Sequence, residues 1–285
     1  MSEFPAAIPA VIIALLTLVH VWPLDRRRAI RVLVALTLAA LAAASVLMLY
    51  QYACFGSPFH LAYSSEHEYV GMEQGIYGVN LPRWIRLRRI LFGDYRGLLP
   101  LAPALAVAPI GFVFIRRRLA AAAAFAIAGY YILLNASYAY WEGGWSYGPR
   151  HASPAIPFLC IGLAALWTVL PPYLSRVGRA CLGLLAAYGV AVTLVAVSTM
   201  PLPPNNIRRP VAELLWPAFR DGDLALNTQT FVSGGANPDF RAHEEPKAAF
   251  NLGMKIGLTG LASLLPLLLA WAACGYAVCV PSRTR

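Results

Sequence analysis

Seven apolar runs of about membrane-spanning length recur along the 285 residues, and this repetition constrains the fold more than any other feature. They cover residues 5–24, 29–50, 98–115, 119–140, 152–170, 177–200 and 253–280, each boundary soft by several positions. A helix needs about 20 apolar residues to cross the hydrocarbon layer, where every backbone polar group must be paired within the chain. With 59% hydrophobic and 13% charged residues, the sequence has too little polar surface to clothe a soluble domain. The expected fold is all-α, a polytopic integral membrane helical bundle of about seven transmembrane helices in a single domain over residues 1–285.

Charge placement sets the expected orientation. Taken over alternate connections, one side holds Arg26, Arg27, Arg28, Arg31, Arg116, Arg117, Arg118, Arg176, Arg179, Arg283 and Arg285 against a single acid, Asp25. The formal charge of +10 thus falls on one face, in short loops, as the positive-inside rule expects for the cytoplasm. The connections at about 51–97, 141–151 and 201–252 are then extracytoplasmic. The N-terminus lies outside and the C-terminus in the cytoplasm, in a cytoplasmic (inner) membrane. Basicity here is a topology signal, and no nucleic-acid partner is expected, since that would need arginines gathered on a soluble surface. Only Glu3 charges the chain before the first run and Arg26–Arg28 follow it, which argues against a cleavable signal peptide. Starting outside raises the expectation that the chain is the later part of a longer one. Of the five cysteines, Cys160, Cys181, Cys274 and Cys279 sit in apolar runs as small hydrophobes, Cys54 does not, and no disulfide framework or metal-ligand spacing appears.

Polarity is concentrated between the runs. Trp141-Glu142-Gly143-Gly144-Trp145-Ser146-Tyr147-Gly148-Pro149-Arg150-His151 combines three glycines, three aromatics and an acid–base pair. Glycine lets the backbone turn and approach a ligand, Arg150 offers a planar fork for phosphate, and Glu142 accepts hydroxyl hydrogen bonds. The plainer alternative is a tight helical hairpin with Trp and Tyr in the interfacial belt. Ahead of it Tyr131, Asn135, Tyr138 and Glu142 recur at helical spacing and predict a polar stripe facing the bundle interior. In the first long connection, Leu81 to Phe92 places Arg83, Arg86 and Arg89 on one helical flank and Trp84, Leu87 and Leu91 on another. That is the pattern of a helix in the headgroup plane, either a plain anchor or a surface for anionic lipid or lipid-linked phosphate. Prolines 100, 103 and 109 predict a kinked or late-starting third span. A short helix is expected over 211–219, a turn at 221–223 and an extended piece over 224–232.

None of the seven cores carries Asp, Glu, Lys or Arg away from its ends, which removes the strongest signal for ion-coupled transport. A layout with its polar residues at one surface suits chemistry on a lipid-anchored substrate. Cations at a departing phosphate, aromatic faces for a sugar and a carboxylate for an acceptor proton are the required types.

Four blocks carry a resemblance: Tyr50-Gln51-Tyr52 through Phe55-Gly56-Ser57-Pro58; Arg96-Gly97-Leu98-Leu99-Pro100-Leu101-Ala102-Pro103; Trp141 to Arg150; and Phe250-Asn251-Leu252-Gly253 with Ser263-Leu264-Leu265-Pro266-Leu267-Leu268. Together they resemble the later half of bacterial multi-spanning proteins of the GT-C glycosyltransferase type. The resemblance implies transfer of a sugar from a polyprenyl-phosphate donor at the outer face of the membrane. Such enzymes usually place the catalytic acid in a first outer loop after an N-terminal helix that starts in the cytoplasm, and the expected outside start leaves no counterpart of that part in these residues. No catalytic residue is carried over, so Glu66, Glu68 and Glu73 stand as candidates by residue type alone. The expected substrate-binding set is Glu142, Trp145, Tyr147, Arg150, His151, Arg83, Arg86 and Arg89. Membrane lipid and a polyprenyl-phosphate-linked sugar are the expected partners, protein partners stay open, no cofactor is expected and a divalent metal is left open. Two rivals stand beside the transferase: a non-enzymatic lipid or lipid-linked-sugar carrier or flippase, and a structural membrane subunit.

Overall fold

Where an apolar run is free of internal proline, it folds as one continuous helix. The computed structural model describes residues 4–60, 70–170, 172–226 and 251–279. Helix α1 (Ala7–Val21) turns into α2 (Arg26–Phe55), whose first turn is capped by Asp25, the carboxylate accepting from the backbone N–H of Arg27 at 2.8 Å and Arg28 at 3.1 Å. Gly56, in the left-handed region at φ 73°, ends α2 by donating its N–H to the Tyr52 carbonyl. Helices α6 (Arg118–Ser137) and α8 (Pro172–Thr199) are the other long uninterrupted elements, and a 3-10 turn at Arg150–Ala155 runs on into α7 (Ile156–Val169).

Among the described residues, five helical segments are long and apolar enough to cross a membrane: Arg26–Phe55, Arg118–Ser137, Arg150–Val169, Ser175–Thr199 and Gly260–Ala277. The remaining two runs are shorter. Helix α1 has 15 residues. The run at 98–115 divides into α4 (Leu98–Leu101), a 3-10 turn (Pro103–Val107) and α5 (Ala108–Phe112), a break rather than the expected kink. Pro103 and Pro109 lack the N–H that would extend the preceding turn, so each starts a new element instead. The last run likewise begins late: α10 (Leu252–Lys255) stops at Gly257, φ 89°, and a 3-10 turn at Gly260–Leu264 leads into α11 (Leu265–Cys279).

After α8, a π turn at Val211–Leu215 runs into α9 (Trp216–Arg220), matching the expected short helix and turn. The extended piece expected over 224–232 lies outside the described residues from 227 onward. Helix α3 (Trp84–Phe92) forms in the first long connection. No strand occurs among the described residues, only isolated bridges joining Ile76 to Val79 and Val79 to Tyr138.

The main core joins α5, α6 and α7 through Ala108, Phe112, Ala121, Ala124, Ile127, Tyr131, Ala155 and Leu159. A second cluster links the end of α8 (Val195, Ala196, Met200) to Leu214 and Leu215. Small residues set the closest approach: a Cβ on Gly111 would fall on the Gly162 carbonyl, and one on Gly253 on the Ser263 backbone. Asn251 locks the latter contact, donating from Nδ2 to Ser263 Oγ at 3.1 Å while its Oδ1 accepts from Met254 N–H.

Four segments meet at one end of this bundle: the end of α6, the glycine-rich stretch after it, the start of α4 and the segment after α8. The arginines of the 116–118 turn and Arg179 lie at the opposite ends of the same helices, where Arg118 bonds the Val113 carbonyl and Arg179 the Trp167 carbonyl. Gly111→Ala is expected to cost about 1–3 kcal/mol through overpacking, whereas Gly129→Ala, inside α6 with open space at its Cβ, should raise stability by about 0.5–1 kcal/mol. Thermal midpoints of the two variants in detergent micelles check this.

Candidate functional site

The turn 93–97 between α3 and α4 organises that end of the bundle. It is tight, with Gly97 N–H donating to the Gly93 carbonyl at 3.0 Å. Arg96 adopts φ 65°, a left-handed conformation disfavoured for a side-chain-bearing residue, and is only 2% exposed. Its guanidinium donates from one terminal nitrogen to the Gly144 carbonyl and from the other to the Pro204 carbonyl, the second at 2.9 Å. Nε is buried without a hydrogen-bond partner among the described residues. Burial pulls the Arg96 pKa down, while Tyr95 and Glu142 push it back up. Tyr95 donates from its hydroxyl to the Asn205 carbonyl at 2.6 Å, and its ring lies 4.7 Å from the Arg96 guanidinium. Asp94 accepts on Oδ2 from Arg208 at 3.0 Å and Arg209 at 3.1 Å. Three successive side chains thus reach to the segment after α8.

Beside this turn lies an open cleft of about 800 Å³. Arg88, Arg89 and Arg208 give it three cations, Asp94 one acid, and Phe92, Tyr95 and Trp141 its aromatic faces. The Arg89 guanidinium is 6.0 Å from the Trp141 ring centroid, and Tyr95 meets that ring edge-on at 6.3 Å. Guanidinium forks beside exposed aromatic faces bind an anion and stack a ring or sugar. The Arg209 hydrogen bond above all holds the Asp94 carboxyl below the usual aspartate range; desolvation opposes it, and the charges of Arg208 and Arg209 add to the lowering. So held, it is a weak base at neutral pH.

The residues singled out in the sequence are spread over several environments. Arg89 lines the cleft. Arg86 donates to the Tyr138 carbonyl at 2.9 Å, fastening α3 to the end of α6, and burial, then the charge of Arg83, lower its pKa. Arg83 is exposed at the start of α3. Glu142 is half-buried, its charge acting on Arg86, Tyr95 and Arg96, and it makes no ion pair within 4.0 Å among the described residues. Arg150 is exposed where the 3-10 turn begins. Trp145 and Tyr147 pack on the Met200 and Leu215 cluster instead of on the cleft. His151 sits 4.8 Å from the Tyr138 ring. Glu73 is exposed in a short 3-10 turn (Val70–Glu73) and does not line the cleft, and Glu66 and Glu68 lie outside the described residues.

The expected polar stripe is cut short, because α6 ends at Ser137 and Tyr138 is already extended. Asn135, fully buried, turns its Nδ2 onto the Trp141 carbonyl at 2.6 Å. Arg88, Arg208, Asp94 and Arg96 were not legible as site residues from helical spacing. The one trace of them was the Arg96-Gly97 start of a resemblance block. Among the described residues no three His, Cys, Asp or Glu side chains gather to hold a metal ion. Comparison with protein-family models, curated proteins and solved structures gives no match.

Arg96→Met leaves the Gly144 and Pro204 carbonyls without their donor, at about 1–3 kcal/mol per group. The expected result is a lowered thermal midpoint with altered Trp141 emission. Because the Asp94 carboxyl is depressed in the folded chain, the stability it gives is present above the ordinary aspartate range and is lost as pH falls through the lowered value. Hydrogen-exchange protection over 205–209, taken relative to the intrinsic amide rate at each pH, should therefore stay constant from neutral to mildly acidic pH and fall only in strong acid. In Asp94→Asn that protection is lowered already at neutral pH.

Proposed function

We propose that this chain is a multi-pass protein of the cytoplasmic membrane that binds a polyprenyl-phosphate-linked sugar at its extracytoplasmic face, as part of glycosyl transfer of the GT-C type. The observation that carries this reading is the cleft, where Arg88, Arg89 and Arg208 face Trp141 and Tyr95. The cations suit the phosphate and the aromatic faces suit the sugar. In this reading α1 and the broken 98–112 segment complete seven crossings, the arginine turns at 26–28 and 116–118 stay in the cytosol, and the 93–97 turn lies outside. The bunching of the α6 end, the glycine-rich stretch and the segment after α8 around Arg96 supports a shared compartment for these parts.

A second reading has its own support. Asp94 is the cleft's acid and is held by two arginines, so among the described residues the cleft offers no free carboxylate for an acceptor proton. That favours a carrier that grips the lipid-linked sugar without reacting it, or a subunit whose acid comes from elsewhere.

In nanodiscs, Arg88→Gln combined with Arg208→Gln should weaken binding of a polyprenyl-phosphate sugar at least tenfold, the scale set by losing a charge-assisted hydrogen bond of about 1.5–3 kcal/mol. Uncharged polyprenol binding should not change. Equal binding by the variant and the parent would remove the cleft from this role. Intact binding with no release of polyprenyl phosphate selects the carrier reading.

A further inference from the structure

We infer that the outward stripe of α3 is a membrane-interface surface, seated at the boundary between headgroups and acyl chains of a bilayer. Trp84, Arg88 and Phe92 recur at spacings of four and Ile85 lies three before Arg88, so the four fall within one side of the helix. Trp84 is 76% exposed, Phe92 64% and Leu81, just ahead of the helix, 85%. The opposite face is also apolar and is covered: Ile90 is buried and Leu87 packs on Ala136 and Ala152. Helix α3 therefore has two apolar faces, of which one has no protein against it among the described residues. This is a different face from the Trp84, Leu87 and Leu91 flank read from spacing.

Its position names the occupant. Asn80 N–H donates to the Ser137 carbonyl at 2.9 Å, Arg86 to the Tyr138 carbonyl, and Ile90 packs on Ala136, so α3 is fixed at the end of α6. Helix α6 has 20 residues, about 30 Å at 1.5 Å per residue, the thickness of the hydrocarbon layer. An element fastened to its last turn lies at the bilayer boundary, the level where tryptophan is enriched. From Gln74 to Gly93 the chain has arginines at 83, 86, 88 and 89 and no acid, which suits anionic headgroups. The inference does not depend on what the cleft binds, and its failure would leave that question untouched.

The test is tryptophan quenching by brominated lipids in vesicles containing anionic phospholipid. Wild type should be quenched more than Trp84→Phe by lipid brominated near the headgroup, the difference being one tryptophan of the chain's seven. Lipid brominated deep in the chains should give a smaller difference. Adding Ile85→Trp to Trp84→Phe should restore the shallow quenching. Equal quenching of wild type and Trp84→Phe, or no recovery with Ile85→Trp, overturns the inference. So does a wild-type dimer that Trp84→Phe converts to monomer, because a second copy would then cover the stripe.

Discussion

The end of the molecule that carries the cleft is assembled around the guanidinium of Arg96. Burying a cation is costly unless it is paired, and here its two terminal nitrogens each donate to main chain, the carbonyls of Gly144 and Pro204, while Nε is left without a partner among the described residues. These acceptors lie 48 and 108 residues along the chain, so one side chain fixes three segments that share no secondary structure. With Arg96 held, its neighbours have little freedom. Tyr95 reaches Asn205 and Asp94 reaches Arg208 and Arg209. Arg208 is thereby brought to the same cleft as Arg88 and Arg89. The left-handed backbone at Arg96 is a local cost that these long-range bonds offset.

The glycine-rich stretch is built into this arrangement. Gly143 and Gly144 both have positive φ, at 80° and 63°, which aims the Gly144 carbonyl back at Arg96. A Cβ at Gly143 would also press on Arg150 Cβ at 3.0 Å. Trp141 has two roles: its carbonyl accepts from the buried Asn135 amide, and its ring forms a cleft wall. Trp145 and Tyr147 anchor the far side of the stretch in the cluster around Met200. The segment is a strap whose first residue is also part of the site.

The sequence makes the helices legible because apolar length is a local property. Five of the seven runs appear as helices of spanning length, and the other two depart for local reasons: α1 is short and prolines divide 98–112. The site was less legible. Helical spacing groups Arg83, Arg86 and Arg89, yet Arg86 is used to hold the end of α6 and Arg83 is exposed. Arg88, one position off that flank, is the one that joins Arg89 in the cleft. Spacing identifies residues that share a face without saying what covers it. Arg208 and Arg96 act through contacts with segments far away in the chain, and no periodicity records those.

If the cleft holds a lipid-linked phosphate as proposed, two kinds of force would share its recognition. Among the described residues, Arg88 and Arg89 have no acid within 4.0 Å, while Arg208 shares Asp94 with Arg209. An incoming phosphate would meet two arginines at no cost in existing ion pairs and would compete with Asp94 for the third. Attraction of this kind between partly exposed charges is screened by salt within about 10 Å at 0.1 M. Apolar burial is not screened, and Phe92 belongs both to the cleft and to the exposed stripe of α3. A free sugar phosphate would engage only the charged part, whereas an amphiphile engages both. In the proposed reading, discrimination would rest on the presence of an apolar chain next to the phosphate more than on the phosphate itself.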